Sequence, residues 1–176
     1  MIMRPGQQLL LPANPFFIWG SLLAAFGLNL LLNIMMVGRA AWAPDFLALT
    51  LVFWGVHQPL RVGMGAAFVF GLLMDVHQGS VLGQNALAYA VLSFFAISIH
   101  RRLLWFSVPA QALQVLPLMA AAHAVELAVR LFVGGHFPGF SLVLAPVLEA
   151  LLWPLATTLL LLPQRRAPDP DANRPL

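Results

Sequence analysis

Apolar stretches and short polar breaks alternate along nearly the whole of this 176-residue chain. Apolar stretches that recur in this way predict helices in a bilayer, because one small soluble core could not hide so much apolar surface. We therefore predict an all-α integral membrane protein with about six transmembrane helices, formed by a single polytopic domain over residues 1–163. The predicted helices are Phe16–Val37, Pro44–His57, Arg61–Val76, Gln84–His100, Ala110–Gly134 and Phe140–Pro163.

Two of these segments, Pro44–His57 and Arg61–Val76, are shorter than the roughly 20 residues that a straight span needs. We expect them to lean on flanking residues, to cross a thinned region of the bilayer, or to be partly enclosed by neighbouring helices. The first, fifth and sixth segments are long enough to span the bilayer alone.

Composition agrees with a membrane protein, since 61% of residues are hydrophobic and 9% are charged, against roughly 25% charged residues in soluble domains. The pI of about 11.1 could suggest nucleic-acid binding. However, the basic residues are nine arginines spread between apolar segments, so we predict no nucleic-acid partner. Cysteine is absent, which excludes disulfides and thiolate metal sites.

The arginines instead predict the topology. If the amino terminus is cytoplasmic, only Arg39 and Arg130 lie near outer loops, as the positive-inside rule favours for six spans. We therefore predict that both termini are cytoplasmic. Residues 164–176 are polar and proline-rich, which predicts a disordered cytoplasmic tail. The arginines on the cytoplasmic side are Arg4, Arg61, Arg101, Arg102, Arg165, Arg166 and Arg174.

Small residues form a stripe on the third segment, because Gly63, Ala67, Gly71 and Asp75 follow one another at intervals of four. A stripe of this kind lets another helix backbone approach closely in lipid. It predicts a helix-packing face, either against a neighbouring helix of the same chain or against another molecule.

The stripe ends in a polar stretch at residues 75–85, which we interpret as an outer loop and the start of the fourth helix. Gly79 and Gly83 bracket a predicted tight turn, and Gln84 can satisfy backbone groups freed between helices. Asp75 would lie near the outer interface, where a carboxylate costs less than at the bilayer centre. We expect Asp75 either to pin the outer loop or to take part in partner binding, rather than to act as an acid or base.

Ionisable residues further along predict a polar network inside the membrane. His123, Glu126 and Arg130 share one face of the fifth helix, so that Glu126 and Arg130 can pair. Glu149 lies within the sixth segment, where His57, Arg130 or a protein partner could bind it. Charged groups within a span normally face the protein interior, which favours a packing role over a proton relay. Arg130 is also a candidate contact for a lipid phosphate.

The sequence contains no arrangement that would carry a reaction. The five histidines are scattered, and no pair has the spacing of metal ligands. We find neither a nucleophile elbow nor a phosphate-binding loop. We predict no catalytic residue, no metal and no cofactor.

A series of short motifs lies between Trp42 and Leu104. The motifs are Pro44-Asp45, Arg61, Gly65, Gly71-Leu72-Leu73-x-Asp75, Gly79, Leu82-Gly83, Ala86-Leu87 and "HRRLL" at residues 100–104. In the order and spacing of these motifs, the stretch resembles the bacterial rod shape-determining protein family MreD.

The resemblance implies a small non-catalytic protein of the bacterial inner membrane, within the elongation machinery of rod-shaped cells. The implied partners are MreC, which spans the membrane once and extends into the periplasm, the glycosyltransferase RodA with its penicillin-binding transpeptidase, and the actin-like MreB, directly or indirectly. The family also looks similar in fold to the six-helix substrate-binding subunits of energy-coupling-factor (ECF) vitamin transporters.

Two functional hypotheses follow. The first is a scaffold for MreC and the peptidoglycan synthesis machinery, in which Asp75 and the turn glycines shape an outer surface for a partner helix. The second is a small-molecule or lipid-binding subunit of a membrane transporter. A vitamin carrier should present polar groups from several outer loops, whereas only residues 75–85 are richly polar here, which favours the scaffold.

Overall fold

The computed structural model describes residues 13–35 and 41–164 of the chain. Over these residues the fold is built from six α-helices and contains no strand, so the predicted fold class and number of helices are confirmed. Two 3₁₀ helices, Phe140–Val143 and Leu162–Gln164, flank the last α-helix. The helices are α1 (Pro15–Met35), α2 (Phe46–His57), α3 (Met64–Gln78), α4 (Gln84–Leu103), α5 (Val108–Phe132) and α6 (Leu144–Leu161).

Some predictions concern residues that the structure does not describe. Residues 165–176 of the predicted tail lie outside the described residues, whereas Gln164 ends the second 3₁₀ helix and is buried. The arginines outside the described residues are Arg4, Arg39, Arg165, Arg166 and Arg174.

Four of the described helical segments are long and apolar enough to cross a membrane, namely α1, α4, α5 and the segment Phe140–Gln164 that contains α6. The other two, α2 with 12 residues and α3 with 15, are about 18 and 22 Å long at 1.5 Å per residue. The hydrocarbon core of a bilayer is about 30 Å thick. The chain is therefore a multi-pass membrane protein in which two helices are shorter than the core is thick.

The position of α2 explains how so short a helix is accommodated. All its residues from Leu47 to Val56 are buried, and α1, α4 and α6 pack around them. Trp54 donates its indole N–H to the Ser21 hydroxyl of α1 at 2.8 Å, and the Phe53 ring lies 6.2 Å from the Trp153 ring of α6. Because protein surrounds α2, its ends do not have to reach the lipid headgroups. Enclosure by neighbours was one of the three expectations for the short segments.

Charged side chains distinguish the two ends of the bundle. Every carboxylate among the described residues lies near the carboxyl ends of α1, α3 and α5 and the amino ends of α2, α4 and α6, which we call the acidic end. Arg61, Arg101 and Arg102 lie at the opposite, basic end, whereas Arg130 lies at the acidic end. The four carboxylates are those of Asp45, Asp75, Glu126 and Glu149.

Candidate functional site at the acidic end

Asp75 is fully buried at the end of α3. Its Oδ1 accepts hydrogen bonds from the backbone N–H of Asn85 at 2.7 Å and from the Ser80 hydroxyl at 3.0 Å. Its Oδ2 accepts from the backbone N–H of Gly83 at 2.8 Å. The first N–H groups of a helix have no partner within it and carry partial positive charge. The start of α4 therefore stabilises this buried carboxylate without a basic side chain. We call these four residues the Asp75 cap.

The loop reaches this geometry through glycines with positive φ. Gly79 ends α3 with φ +59°, and Gly83 precedes α4 with φ +101°. Residues other than glycine are strained at these positive φ angles, because they carry a Cβ atom. The turn that the sequence predicts between these two glycines is therefore the element that brings Asp75 beside the start of α4.

Only part of the small-residue stripe serves packing against α4. A Cβ atom on Gly71 would lie 2.3 Å from the Cα atom of Ala86, so α3 and α4 can approach this closely only with glycine at position 71. Ala67 is fully buried one turn earlier. A Cβ atom on Gly63 would meet nothing within 4 Å among the described residues. The structure thus brings Ala67, Gly71 and Asp75 into the interior and leaves Gly63 outside it.

Asp45 connects three helices at the acidic end. As the N-cap of α2, its Oδ1 accepts from the backbone N–H of Ala48 at 2.9 Å and from the Asn29 amide of α1 at 2.7 Å. The Tyr89 hydroxyl of α4 donates to Oδ2. Asn29 in turn accepts from the backbone N–H of Phe46 at 3.1 Å, so α1 and α2 are joined by two hydrogen bonds that run in opposite directions.

Glu149 extends these contacts to α5 and α6. It is fully buried, and its Oε1 accepts from the backbone N–H of Asp45 at 2.8 Å and lies 3.0 Å from Nε2 of His123. Nδ1 of His123 lies 3.6 Å from Oε2 of Glu126, so the imidazole stands between two carboxylates. Five buried residues thereby join five helices in what we call the central polar network: Asn29, Asp45, Tyr89, His123 and Glu149.

The partners within the predicted polar network differ from those that the sequence suggests. Glu149 pairs with His123 instead of with any partner proposed above. Glu126 faces His123 and accepts from the Gln84 amide over 3.4 Å. Within the described residues Glu126 forms no ion pair with Arg130, which is exposed in the last turn of α5. The structure thus brings together His123, Glu126 and Glu149 and leaves Arg130 beside them.

Sequence reasoning misses Asn29, Asp45 and Tyr89 as parts of this site. The Pro44-Asp45 pair contributes to the family resemblance, but no role follows from it. Asn29 is a polar residue within an apolar span, and Tyr89 is the single tyrosine of the chain. A polar group in a span is a signal of internal contacts, and it would have identified both positions.

These contacts stabilise the fold, because each buried carboxylate is paired within the protein. Both oxygens of Asp45, Asp75 and Glu149 lie within hydrogen-bond distance of a donor atom in the protein. Over the described ranges, no group of three or more histidine, aspartate or glutamate side chains could hold a metal ion. In lipid, where water is scarce, such pairing is what makes buried carboxylates tolerable.

Two concave surfaces of the described residues differ in chemistry. A cavity of about 380 Å³, which we call the polar cavity, lies at the acidic end and is lined in part by His77, Gln78, Glu126 and Arg130. A groove of about 350 Å³, which we call the apolar groove, runs between α1 and α6 with α2 between them. The first surface offers polar groups and the second offers leucine and alanine side chains.

Comparison with known proteins agrees with the resemblance seen in the sequence. The family model for the rod shape-determining protein MreD matches residues 13–162. The rod shape-determining protein MreD of Haemophilus influenzae is 29% identical to the chain over 143 residues, which cover 77% of this chain and 85% of that protein. No solved structure matches, so the likeness in fold to ECF subunits stays a prediction. Since the family model covers most of its length, this multi-pass chain belongs to the MreD family of non-catalytic rod shape-determining proteins.

Proposed function

We propose that this protein acts in the bacterial inner membrane as a scaffold that holds MreC and the peptidoglycan synthesis machinery in the cell-elongation complex. Family membership supports a role in rod shape. MreC is the direct partner in this proposal, and RodA with its transpeptidase joins the same complex. MreB is connected to it directly or through the other components. The basic end faces the cytoplasm, together with both termini.

The apolar groove is the observation that carries this proposal. Around α2, α3 packs on α4, α4 on α5 and α5 on α6, and α1 packs on α2 beside α3. Between α1 and α6 this ring is open, and α2 lines the opening through Phe46, Leu49 and Thr50. A single spanning helix placed in the apolar groove would complete the ring, and MreC has one such helix.

The walls of the apolar groove suit a helix more than a bulky ligand. Ala24 and Ala25 of α1 face Ala156 of α6 across it. Small side chains let helix backbones approach closely, which is how helices associate in lipid. Leu28 and Leu155 supply larger apolar side chains to either wall, so that a partner helix would find both close approach and packing.

The Asp75 cap acts in this proposal from inside the protein. Its carboxylate is buried, so it cannot itself contact MreC, but it fixes the loop that presents Val81 and Leu82 at the surface. These two side chains are 40% and 70% exposed at the acidic end. Gly71 and Gln84 are buried like Asp75, so together with the turn glycines Gly79 and Gly83 they shape this loop.

Filling the apolar groove tests the proposal. Ala24→Trp with Ala156→Trp places two indole rings in it, and we expect the recovery of MreC with this protein to fall about tenfold or more, which corresponds to about 1.4 kcal/mol of binding free energy. Rods should become round. The matched control is Ala120→Trp on the exposed side of α5, which should leave both readouts unchanged.

A photo-crosslinking side chain at Leu155 identifies the occupant directly. Leu155 lines the apolar groove and is 55% exposed, whereas Leu113 of α5 is 74% exposed outside it. We expect crosslinks to MreC from position 155 and none from position 113. Crosslinks to lipid alone or to a second copy of the chain would contradict the proposal, as would equal loss of MreC in the Ala120→Trp control.

Reporter fusions test the orientation separately. A reporter that is active only in the cytoplasm should be active when fused to the carboxyl terminus, because six spans place both termini on one side of the membrane. A periplasmic carboxyl terminus would overturn the arrangement in which the basic end faces the cytoplasm.

A further inference from the structure

The polar cavity is lined by side chains that also carry buried polar atoms without a partner. The Nε2 atoms of His77 and Gln78 are buried and form no hydrogen bond within the described residues, and both side chains line the cavity. A buried donor without a partner costs about 1–3 kcal/mol, and in folded proteins an ordered water or a bound molecule commonly supplies the acceptor. Rotating the Gln78 amide does not remove the problem, because its Oε1 already accepts from Nδ2 of Asn85 at 3.2 Å.

Arg130 adds a positive charge to the same cavity. It lines the polar cavity, and its guanidinium forms no ion pair within the described part of the chain. The turn after α5 folds back onto Arg130, because the Gly135 N–H donates to the Arg130 carbonyl at 2.9 Å. A Cβ atom on Gly135 would lie 2.7 Å from Cγ of Arg130. The turn thus packs against the first carbons of the Arg130 side chain, whose guanidinium carries paired donors that match a phosphate.

The opposite wall bears a carboxylate, which narrows the class of ligand. Glu126 lines the polar cavity and is already contacted by His123 and Gln84, so a ligand there meets a carboxylate that can accept further hydrogen bonds. A phosphate that carries hydroxyl or ammonium groups next to it would donate to Glu126. The Ser80 side chain lines the cavity as a further polar group.

The depth and the edge of the polar cavity match a lipid. Arg130 lies in the last turn of α5, where a spanning helix reaches the level of the headgroups. Ile34 and Leu142 give the cavity an apolar edge, along which acyl chains could continue. Basic pockets between transmembrane helices are a known way to bind phosphate headgroups.

We propose that the polar cavity binds a phosphate ester with hydroxyl or ammonium groups beside the phosphate, as in the headgroup of a membrane phospholipid. Arg130 donates to the phosphate, and Glu126 accepts from the neighbouring groups. This site does not depend on the apolar groove or on MreC, so either proposal can fail without the other.

Native mass spectrometry of the full chain in detergent tests the site. The probes are phosphatidylglycerol and phosphatidylethanolamine, and dioleoylglycerol serves as the matched probe without phosphate. We expect one tightly retained molecule of either phospholipid and none of dioleoylglycerol. Arg130→Ala should weaken retention about tenfold, the effect of losing one charge-assisted contact. Arg101→Ala, which removes an exposed arginine at the basic end, should leave retention unchanged.

A second variant separates recognition from folding. Arg130→Lys keeps the positive charge but loses the paired donors, so it should weaken phospholipid retention less than Arg130→Ala does. The thermal unfolding midpoint without lipid should stay near that of the unmodified protein, because the Arg130 side chain is exposed and forms no ion pair within the described residues. Equal retention in Arg130→Ala and Arg101→Ala, or retention of dioleoylglycerol like that of the phospholipids, would overturn the proposal.

Soluble competitors distinguish the two sources of a phosphate ester. Glycerol 3-phosphate at millimolar concentration should fail to displace the phospholipid if the ligand is a lipid, because the acyl chains contribute to its affinity. Displacement by glycerol 3-phosphate would show that the cavity binds a phosphate ester but that its ligand is soluble and not a lipid.

Discussion

The Asp75 cap and the central polar network lie at the same end of the bundle, but they are built over different distances along the chain. Asp75 finds all its hydrogen-bond donors within eleven residues, in the loop and the first turn of α4. In the central polar network, the contact between Glu149 and the Asp45 N–H joins residues 104 positions apart. A hairpin of α3 and α4 is therefore enough for the cap, whereas the network needs five helices in place.

This difference separates two kinds of stability. Loss of a contact within one hairpin loosens that hairpin, while loss of a contact between distant helices weakens the whole assembly. The two groups should therefore respond differently to equivalent substitutions, in the size of the effect and in how far it spreads.

Asp45→Ala should be the most damaging change. It removes an N-cap, and it leaves the Asn29 amide and the Tyr89 hydroxyl without this acceptor. Removing one partner from buried contacts to a charged group costs about 3–5 kcal/mol of the free energy of unfolding. Unfolding by denaturant in detergent measures the free energy, and hydrogen exchange should rise on α1, α2 and α4 together. Thr50→Ala is the control, because the Thr50 hydroxyl bonds only to its own helix at Phe46. Faster exchange confined to the start of α2 would contradict the prediction.

Asp75→Ala should cost about 2–3 kcal/mol, between the loss of an N-cap and that of a charge-assisted hydrogen bond. Hydrogen exchange should increase only around residues 79–87. MreC recovery should fall in proportion to the membrane level of the variant. If recovery fell while the membrane level stayed constant, Asp75 would belong to the partner interface itself. Asp75→Asn, which keeps one acceptor oxygen, should have a smaller effect.

Gly71→Ala should cost about 1–3 kcal/mol, as overpacking in a close contact does. The new Cβ would meet the Ala86 backbone, which cannot rotate away, so α3 and α4 must separate. Gly65→Ala in the same helix is the matched control, because a Cβ there meets nothing within 4 Å; it should be neutral or slightly stabilising. Equal effects of the two changes on the unfolding free energy would show that the cost of Gly71→Ala does not come from close packing between α3 and α4.

Gln84→Met should have the smallest effect, about 1 kcal/mol or less. The side chain keeps its volume and loses only a 3.4 Å hydrogen bond to Glu126, which is a weak contact between α4 and α5. The thermal unfolding midpoint measures it. A loss as large as that of Asp75→Ala would place Gln84 among the residues that determine the fold.

The sequence predicts best what depends on local pattern. Apolar runs define six helices, and Gly79 and Gly83 define the turn that brings Asp75 to α4, because these features involve neighbours along the chain. Periodicity says which face of a helix is polar, but not which other helix meets that face. For this reason sequence reasoning pairs Glu126 with Arg130, one turn away, and misses the contact of Glu149 with His123. Asp45 lacks any local signal of its link to Glu149.

The enclosure of α2 has a consequence for biogenesis. A helix of about 18 Å between polar residues has little reason to stay in lipid by itself, and its cover on one side comes from α6, the last of the described α-helices to be synthesised. The final burial of α2 must therefore wait until nearly the whole bundle has left the ribosome. Nascent chains arrested before α6 should expose α2 to proteases and quality control, even though most of the spans are already inserted.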